Sequence, residues 1–393
     1  MPKRKLNNIT QRKDGRWVAR KVFGYKPNGK PNRKNFYGST SAEAAQKLAD
    51  YERQIENGLN VDAVNLTFEQ WLDLWMKEYK FQVLGARTYD VYEYSIKSVI
   101  IPVLGKYKLL SLRPEHLQSF INGVKKKNGD PLSVGTIRKF KSIISDALGQ
   151  AVKNGLIIRN PIDALSMPKD NKKKKVGAYT PKEQTILLNQ FENHRFYHLV
   201  VTALGTGMRI GELLALKWSD LDFIQNEIMV SASLSRAKDR DADTGAVIGS
   251  SYRINPTKTK AGNRVVPLTL EVKHSLLRLK EEQISERLKA RLAWVNNDLV
   301  FCTSLGDFLD YNYTVRHYSE QRDLTNIPKL SFHCLRHTFA TNAISAGVDY
   351  YYLSRIMGHT DISITLNVYA EFMPDKSRSE MEKMEGVLLL KFA

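Results

Sequence analysis

Several features are scarce or missing in this chain of 393 residues. It has only two cysteines, Cys302 and Cys334, too few for a disulfide framework, which favours a reducing compartment such as the cytoplasm. No apolar run reaches 18 residues and the chain starts without a secretory signal, so we expect neither a membrane span nor secretion. Acids are nearly absent from the first 40 positions, which hold 12 Lys or Arg and one acid, Asp14.

Positive charge is what the chain has in excess. Its 60 Lys and Arg residues outnumber 41 Asp and Glu residues, which gives a net charge of +19. Solubility alone, a ribosomal role or a membrane-surface role would all fit that balance. The clustering of the charge favours a polyanionic partner, with nucleic acid as the leading class. The chain is also too long for one ordinary core, which predicts two or three domains.

Residues 1–60 show the pattern of a small sheet followed by one helix. Alternating apolar and polar residues flank turns at Asp14-Gly15 and at 27–30. The predicted elements are strands at 17–23 and 34–37, which belong to a three-stranded sheet, and a helix at 41–57. Such a sheet could lie in the major groove of DNA, or it could bind phosphates without sequence preference.

A helical segment is predicted at 66–166. Thr67 and Gln70 form a capping box, and Thr88 is placed to cap the second helix. The amphipathic helices are expected at 67–79, 88–103, 114–127 and 133–154. Its basic residues could contact phosphates or simply face solvent; they are Lys125, Lys126, Lys127, Arg138, Lys139 and Lys141. The charged segment at 167–178 is predicted to be a linker.

The rest of the chain, 179–393, has a mixed pattern that is mainly helical. Thr180 and Pro181 begin helices that continue to about Lys217, and helices return after 270 and after 311. Strands are expected at 227–231, 252–256 and 263–268, with a mobile excursion at 232–250. The predicted fold class is therefore multidomain α+β, with a sheet-plus-helix domain, an all-helical domain and a mainly helical domain with a small antiparallel sheet.

Basic and aromatic residues in the last domain suit chemistry on a phosphodiester. Arg209 follows a glycine-containing turn, and His333 and Arg336 are three residues apart, so they share one helix face. His359 follows Gly358, and Tyr369 lies ten residues further on. Arginine forks can hold phosphate oxygens, imidazoles can handle protons, and a phenol can be the nucleophile.

Each of these residues also has a simpler interpretation. Arg209 could form a structural ion pair with Glu212, and His333 with His337 has the spacing of a zinc pair. An arginine between the two histidines disfavours a cation, and the glutamate of the metalloprotease motif is replaced by Cys334. There are 18 tyrosines, most of which must serve packing, and the run at 350–352 is expected in the core.

Taken together, these motifs resemble those of the tyrosine recombinases, specifically the integrases of phages and conjugative transposons, along nearly the whole chain. The resemblance implies an arm-site DNA-binding domain at 1–60, a core-binding domain at 66–166, a linker at 167–178 and a catalytic domain at 179–393. It implies that Arg209 and Arg336 clamp the phosphate. His337 is expected to be a structural hydrogen-bonding residue, with support of the catalytic residues as the alternative. The other implied catalytic residues are His333, His359, the nucleophile Tyr369 and a general acid on a β-hairpin at 256–268, which is Lys258 or, less favoured, Lys260.

The resemblance also implies how the protein would act. Tyr369 would cleave DNA through a 3′-phosphotyrosine without cofactor or metal, and strand exchange would pass through a Holliday junction. The implied partners are double-stranded DNA at attachment sites, a homo-tetramer, an excisionase-type directionality factor and a host DNA-bending protein. An apolar tail at 380–393 would dock on a neighbouring subunit or pack on its own domain. The rival functions are a type IB topoisomerase and a DNA-binding regulator without chemistry.

Overall fold

The computed structural model divides the chain into two compact units, Met1–Asn171 and Lys172–Ala393. Within them the structure describes residues 9–25, 30–56, 66–126, 128–169, 177–242, 244–257, 260–363 and 366. The fold is α+β with small antiparallel sheets, as the sequence predicts. The described part of the chain contains no helix with the length and apolar character needed to cross a membrane.

The first unit begins with a three-stranded antiparallel sheet in the order β1-β2-β3. The elements are β1 (Ile9–Gln11), β2 (Trp17–Tyr25), β3 (Pro31–Gly38) and the helix α1 (Ser41–Glu56). Helix α1 covers one face of the sheet, where Tyr51 contacts Phe23 and Phe36 with ring centroids 4.8 and 4.9 Å apart. Because successive strand residues point to opposite sides, Arg20, Val22, Arg33 and Asn35 lie on the opposite face, where they are exposed, while Val18 on that face is buried.

A helical bundle follows in the same unit. Its helices are α2 (Phe68–Trp75), α3 (Ala86–Ser95), α4 (Ile101–Leu104), α5 (Pro114–Gly123) and α6 (Val134–Lys153), with π-helical turns at Met76–Lys80 and Ile96–Ile100. Thr67 and Gln70 form the predicted capping box. The prediction for Thr88 was wrong, because α3 begins at Ala86 after Gly85 and has no side-chain cap. The Trp71 indole donates to Ala147 O in the core at 2.9 Å.

The second unit combines seven helices of the described residues with two small sheets. The helices are α7 (Pro181–Phe191), α8 (Tyr197–Thr206), α9 (Ile210–Ala215), α10 (Leu270–Ala290), α11 (Tyr311–Asp323), α12 (His333–Ser345) and α13 (Tyr350–Met357). The strands are β4 (Leu221–Asp222), β5 (Glu227–Val230), β6 (Ala232–Arg240), β7 (Val247–Pro256) and β8 (Arg264–Pro267). Helices α7, α8 and α9 contribute much of the core, and α12 packs against α8.

Two predictions about the strands of this unit were wrong. Most of the segment expected to be a mobile excursion, residues 232–240 and 247–250, lies in β6 and β7, which pair from Ala232 opposite Pro256 to Arg240 opposite Val247 with a register shift between Asp239 and Arg240. Asp239, taken as a loop residue, instead accepts across the pair from Ser251 Oγ and Arg253 Nη2, both at 2.7 Å.

Among the described residues of 256–268, no two strands pair with each other as the expected hairpin would require. Strand β8 pairs with β5 in the sheet β4-β5-β8, whereas β7 pairs with β6, so the strands on either side of this connection belong to different sheets. Its described end is the short helical turn Lys260–Gly262.

Candidate active site

Arg209 lies where α8 ends and α9 begins. Gly207 ends α8 with a left-handed φ of +62°, and Arg209 is the N-cap of α9. The Glu212 carboxylate, three residues on, accepts from the Arg209 backbone N–H and from its Nη1, both at 2.8 Å. Glu212 thus orients the arginine through the ion pair that the sequence offered as a simpler interpretation. Because the Arg209 side chain is still 41% exposed, part of its guanidinium can meet an external anion.

Arg336 occupies the buried side of the same site. It lies in the first turn of α12 and is only 3% exposed. Its Nη1 donates to Gly207 O at 2.6 Å and its Nη2 donates to Met357 O. Burial and the charges of Arg209 and Arg264 lower the pKa of Arg336 to about 9, which leaves it protonated at neutral pH. The site therefore holds a second guanidinium in a fixed position.

Two histidines share the first turns of α12. His333 is its first residue and is solvent exposed, and its ring meets the His337 ring edge-on at 5.0 Å. Partial loss of hydration and the charges of Arg336 and Arg209 lower the pKa of His333. We expect a neutral His333 imidazole at neutral pH, which could either accept a proton or donate a hydrogen bond.

His359 follows the end of α13. Gly358 terminates that helix with a left-handed φ of +64°, and the His359 N–H donates to Ser354 O at 3.1 Å. Burial, followed by the charges of Arg336, Arg209, Arg264 and His337, lowers the pKa of His359 to about 4. The structure therefore brings Arg209, His333, Arg336 and His359 into one cationic site.

Arg264 is a member of this site that the sequence interpretation left without a role. It begins β8, is 8% exposed and binds both Glu212 oxygens, at 3.1 and 2.9 Å. Burial opposes ionisation of Glu212, but the bonds and charges of Arg264 and Arg209 outweigh it and lower the Glu212 pKa. A signal was available: Arg264 and Val266 alternate toward one face of β8, and an arginine facing a core needs a carboxylate.

Other predicted site residues lie outside this description. Lys258 and Tyr369 are not among the described residues, and of Lys260 only the backbone turn is described. The expectation of a buried tyrosine run was wrong for Tyr351 and Tyr352, which are 55% and 63% exposed. They lie on the outward face of α13, whose inward face is formed by Leu353 and Met357. No three metal-ligating side chains come together within the ranges described.

Comparisons with known proteins agree with this geometry. The family model described as "Phage integrase family" matches residues 179–375, and "Phage integrase, N-terminal SAM-like domain" matches residues 67–125. A "Tyrosine recombinase XerC-like" protein of Caldanaerobacter subterraneus subsp. tengcongensis is 28% identical over 377 residues, covering 94% of this chain and 95% of that protein. The transposase of transposon Tn916 from Enterococcus faecalis is 25% identical, covering 95% and 93%.

The fold also matches solved structures of integrases. A variant of the Tn1549 transposon integrase in complex with a circular intermediate DNA matches with a TM-score of 0.64 and 25% identity, covering 80% of this chain and 99% of that one. The lambda integrase tetramer bound to a Holliday junction shares the fold, with a TM-score of 0.56 and 18% identity over 93% and 96% of the two chains. Because the first family model spans half of the sequence, the chain belongs to the phage integrase family and is a tyrosine recombinase.

Proposed function

We propose that this recombinase integrates and excises a mobile DNA element by cleaving and rejoining strands at specific sites. The observation that carries the proposal is the convergence of two guanidinium groups and two imidazoles where α9 and α12 begin and α13 ends. The catalytic residues that we assign are Arg209, Lys258, His333, Arg336, His359 and Tyr369.

The first task of the site would be to hold the scissile phosphate. Arg336 is fixed by two backbone carbonyls, and Arg209 is fixed by Glu212 and by Gly358 O at 3.1 Å. Each guanidinium has five N–H donors, so both keep donors for phosphate oxygens after these contacts. Charges that are already oriented need little reorganisation when the transition state develops its own charge.

The chemical step would then be an in-line displacement. The Tyr369 oxygen forms a bond to phosphorus while the bond from phosphorus to the 5′ oxygen breaks, which leaves a 3′-phosphotyrosine. A free phenol has a pKa of about 10, so only about 0.1% is ionised at neutral pH. His333, neutral because of its lowered pKa, can accept the phenol proton, and Lys258 can supply a proton to the leaving oxygen. The phosphotyrosine ester keeps the energy of the cleaved linkage for rejoining.

DNA recognition would be shared among the proposed domains, 1–60, 66–166 and 179–393, with a linker at 167–178. On the sheet face that α1 leaves open, Arg20 pairs opposite Asn35 and Val22 opposite Arg33, and all four residues are exposed. Such a surface suits the major groove of an arm site. In the bundle, Lys141 instead contacts Leu165 O at 3.5 Å, so the exposed Arg138 and Lys139 of α6 are better placed for phosphates.

The proposed assembly is a homo-tetramer on two attachment sites, acting in the cytoplasm of a bacterial host. A tetramer on a Holliday junction is the state of the lambda integrase structure that this fold matches. An excisionase-type directionality factor and a host DNA-bending protein would complete the complex. The tail at 380–393, which would join subunits, lies outside the described residues.

A strand-exchange assay tests the function directly. Two duplexes of different length, each carrying an end of the protein's own element, would be incubated with the protein, and recombinant strands would be resolved by denaturing electrophoresis. We expect recombinants from wild type and none from Tyr369→Phe. Relaxation of supercoiled DNA without recombinant strands would instead support the type IB topoisomerase alternative, and binding without either reaction would support a DNA-binding regulator.

A further inference from the structure

Each of three consecutive backbone carbonyls at the end of α13 accepts a hydrogen bond from a different arginine. Ile356 O accepts from Arg264 Nε, Met357 O from Arg336 Nη2, and Gly358 O from Arg209 Nη2. Carbonyls in the last turn of a helix lack intrahelical partners and carry the negative end of the helix dipole, so they attract guanidinium groups. Arginines from β8, α12 and the start of α9 are thereby aligned immediately before His359.

Arg264 uses its guanidinium differently from the other two arginines. In addition to Ile356 O, its Nη1 donates to Glu212 Oε1 at 3.1 Å and to Gly262 O at 3.2 Å, while its Nη2 donates to Glu212 Oε2 at 2.9 Å. These contacts occupy four of the five N–H donors of an arginine. Arg209 and Arg336 each use only two of their five N–H donors in contacts with the protein, so Arg264, which keeps a single donor, is the one not placed to clamp a phosphate.

The contacts of Arg264 connect three segments of the site. Through Glu212 it acts on Arg209, and through Ile356 O it holds the end of α13 that precedes His359. Through Gly262 O it holds the connection in which the general-acid lysine is predicted. We infer that Arg264 is a positioning residue for strand cleavage, an inference that rests on the catalytic roles proposed above.

Loss of Arg264 should change the position of Arg209. The Glu212 carboxylate is 4% exposed, and each of its two oxygens accepts from both Arg264 and Arg209. Without Arg264, the buried carboxylate would depend on Arg209 for charge compensation, and it would draw that guanidinium away from the phosphate. A lysine at 264 would keep the charge but could not bridge Ile356 O and both Glu212 oxygens at once.

The test compares Arg264→Lys and Arg264→Gln with wild type in single-turnover cleavage of a nicked suicide substrate at saturating protein. A misplacement of about 1 Å can cost on the order of 100-fold in rate, so we expect a loss of about 10- to 100-fold. DNA affinity, measured by gel shift, should stay within about threefold, because Arg264 is not placed to contact DNA. Should Arg264→Gln not fold, Arg264→Lys carries the test.

Arg195→Lys is the matched control. Arg195 also binds both oxygens of a carboxylate, that of Glu286, and also donates to a carbonyl, Cys302 O, but none of these contacts involves the site. We expect Arg195→Lys to cleave at the wild-type rate. If Arg264→Lys slows cleavage no more than Arg195→Lys does, the inference is overturned.

A double-mutant cycle tests whether Arg264 affects cleavage through its contact with Glu212. If Arg264 acts mainly by orienting Glu212, then Glu212→Gln combined with Arg264→Gln should be no slower than the slower single variant. If the rate reductions of the two single variants multiply in the double variant, Arg264 does not act through Glu212. Tyr369→Phe is run in parallel: if it cleaves normally, the site assignment itself fails, whereas an inactive Tyr369→Phe beside a fully active Arg264→Lys removes only the role of Arg264.

Discussion

We expect arginine rather than lysine to be required at the two positions proposed to clamp the phosphate, because each side chain would bond to the protein and to the phosphate together. Arg336 meets Gly207 O and Met357 O, and Arg209 meets Glu212 and Gly358 O. Lysine has a single ammonium group on a flexible stem and cannot present two planar sets of donors.

We therefore predict that Arg209→Lys and Arg336→Lys each lower the single-turnover cleavage rate by about 100-fold or more, the usual cost of losing one oriented donor to a developing oxyanion. Binding to the attachment site should change only a few-fold. Arg355→Lys is a control, since Arg355 is exposed on α13 and stacks on Tyr351. Cleavage at the wild-type rate by either clamp variant would contradict the assignment.

The lowered histidine pKa values predict sensitivity to acid. The pKa of His359 is about 4 in the fold, against about 6.5 in an unfolded chain. Between those values the unfolded chain binds a proton that the folded chain does not, so the free energy of unfolding falls as pH falls through this window. The lowered pKa of His333 acts in the same direction.

The corresponding measurement is the melting temperature at pH 7 and at pH 4.5. Wild type should lose more stability on acidification than His359→Gln, which has no titrating group at this position. A difference of about 1 kcal/mol would appear as roughly 2–4 °C in a domain of this size. Equal decreases in the two proteins would show that His359 does not have a lowered pKa in the fold.

At the scale of elements, the end of α13 is the feature on which the site depends. A Cβ added to Gly358 would lie 2.8 Å from Ala261 O and 3.0 Å from Arg264, and φ there is +64°. Gly347, just after α12, has a φ of +83° but open space around it. A side chain at either position would be strained by the left-handed backbone, at a cost on the order of 1–2 kcal/mol. Only at Gly358 would it also clash with neighbouring atoms.

We predict that Gly358→Ala lowers the cleavage rate about tenfold or more, because the clash moves Arg264 and the carbonyl that holds Arg209. Gly347→Ala should lose stability and cleave normally once folded. Melting temperatures and single-turnover rates of both variants separate a loss of stability from a loss of cleavage. If the two variants lose equal activity at equal stability, the end of α13 has no special role.

Local sequence patterns predicted where helices begin better than they predicted which strands pair. The caps at Thr67 and Thr180 were correct, because a capping box is complete within four residues. The hairpin at 256–268 was wrong, because the partner of β8 is β5, more than 30 residues upstream, and only tertiary packing decides between partners. The segment containing Asp239 was predicted to be a loop for the same reason, since the hydrogen-bond partners of Asp239 lie on the facing strand.

The sequence singled out His333, Arg336 and His359 because their spacing carries the motif. The structure places the three near one another, and their catalytic roles stay predictions. Arg264 was not assigned, since its role depends on contacts with Glu212 and Ile356, which are 52 and 92 residues away. A position defined by three-dimensional contacts alone leaves only a weak trace in the sequence, here a basic residue on the inner face of a short strand.

At the scale of the whole molecule, the charge of +19 implies that DNA binding weakens with salt. If the open sheet face reads an arm site, Arg20→Ala with Arg33→Ala should weaken arm-site binding and reduce the salt slope by about 0.9 for each phosphate that the variant no longer neutralises. Core-site cleavage should be unchanged. Arg53→Ala is the control, because Arg53 lies on α1, 69% exposed and 3.8 Å from Asp50. Equal effects of the control and the pair would contradict this assignment.

Covalent trapping with excess EDTA tests the central claim most directly. The protein would be mixed with DNA from the ends of its own element, quenched with SDS and compared with Tyr369→Phe. We predict an SDS-resistant protein–DNA adduct for wild type alone, which would establish metal-free cleavage by Tyr369. An adduct in both proteins would show that another residue attacks. The absence of an adduct in either protein, on a nicked suicide substrate that both bind tightly, would contradict the assignment of a cleaving recombinase.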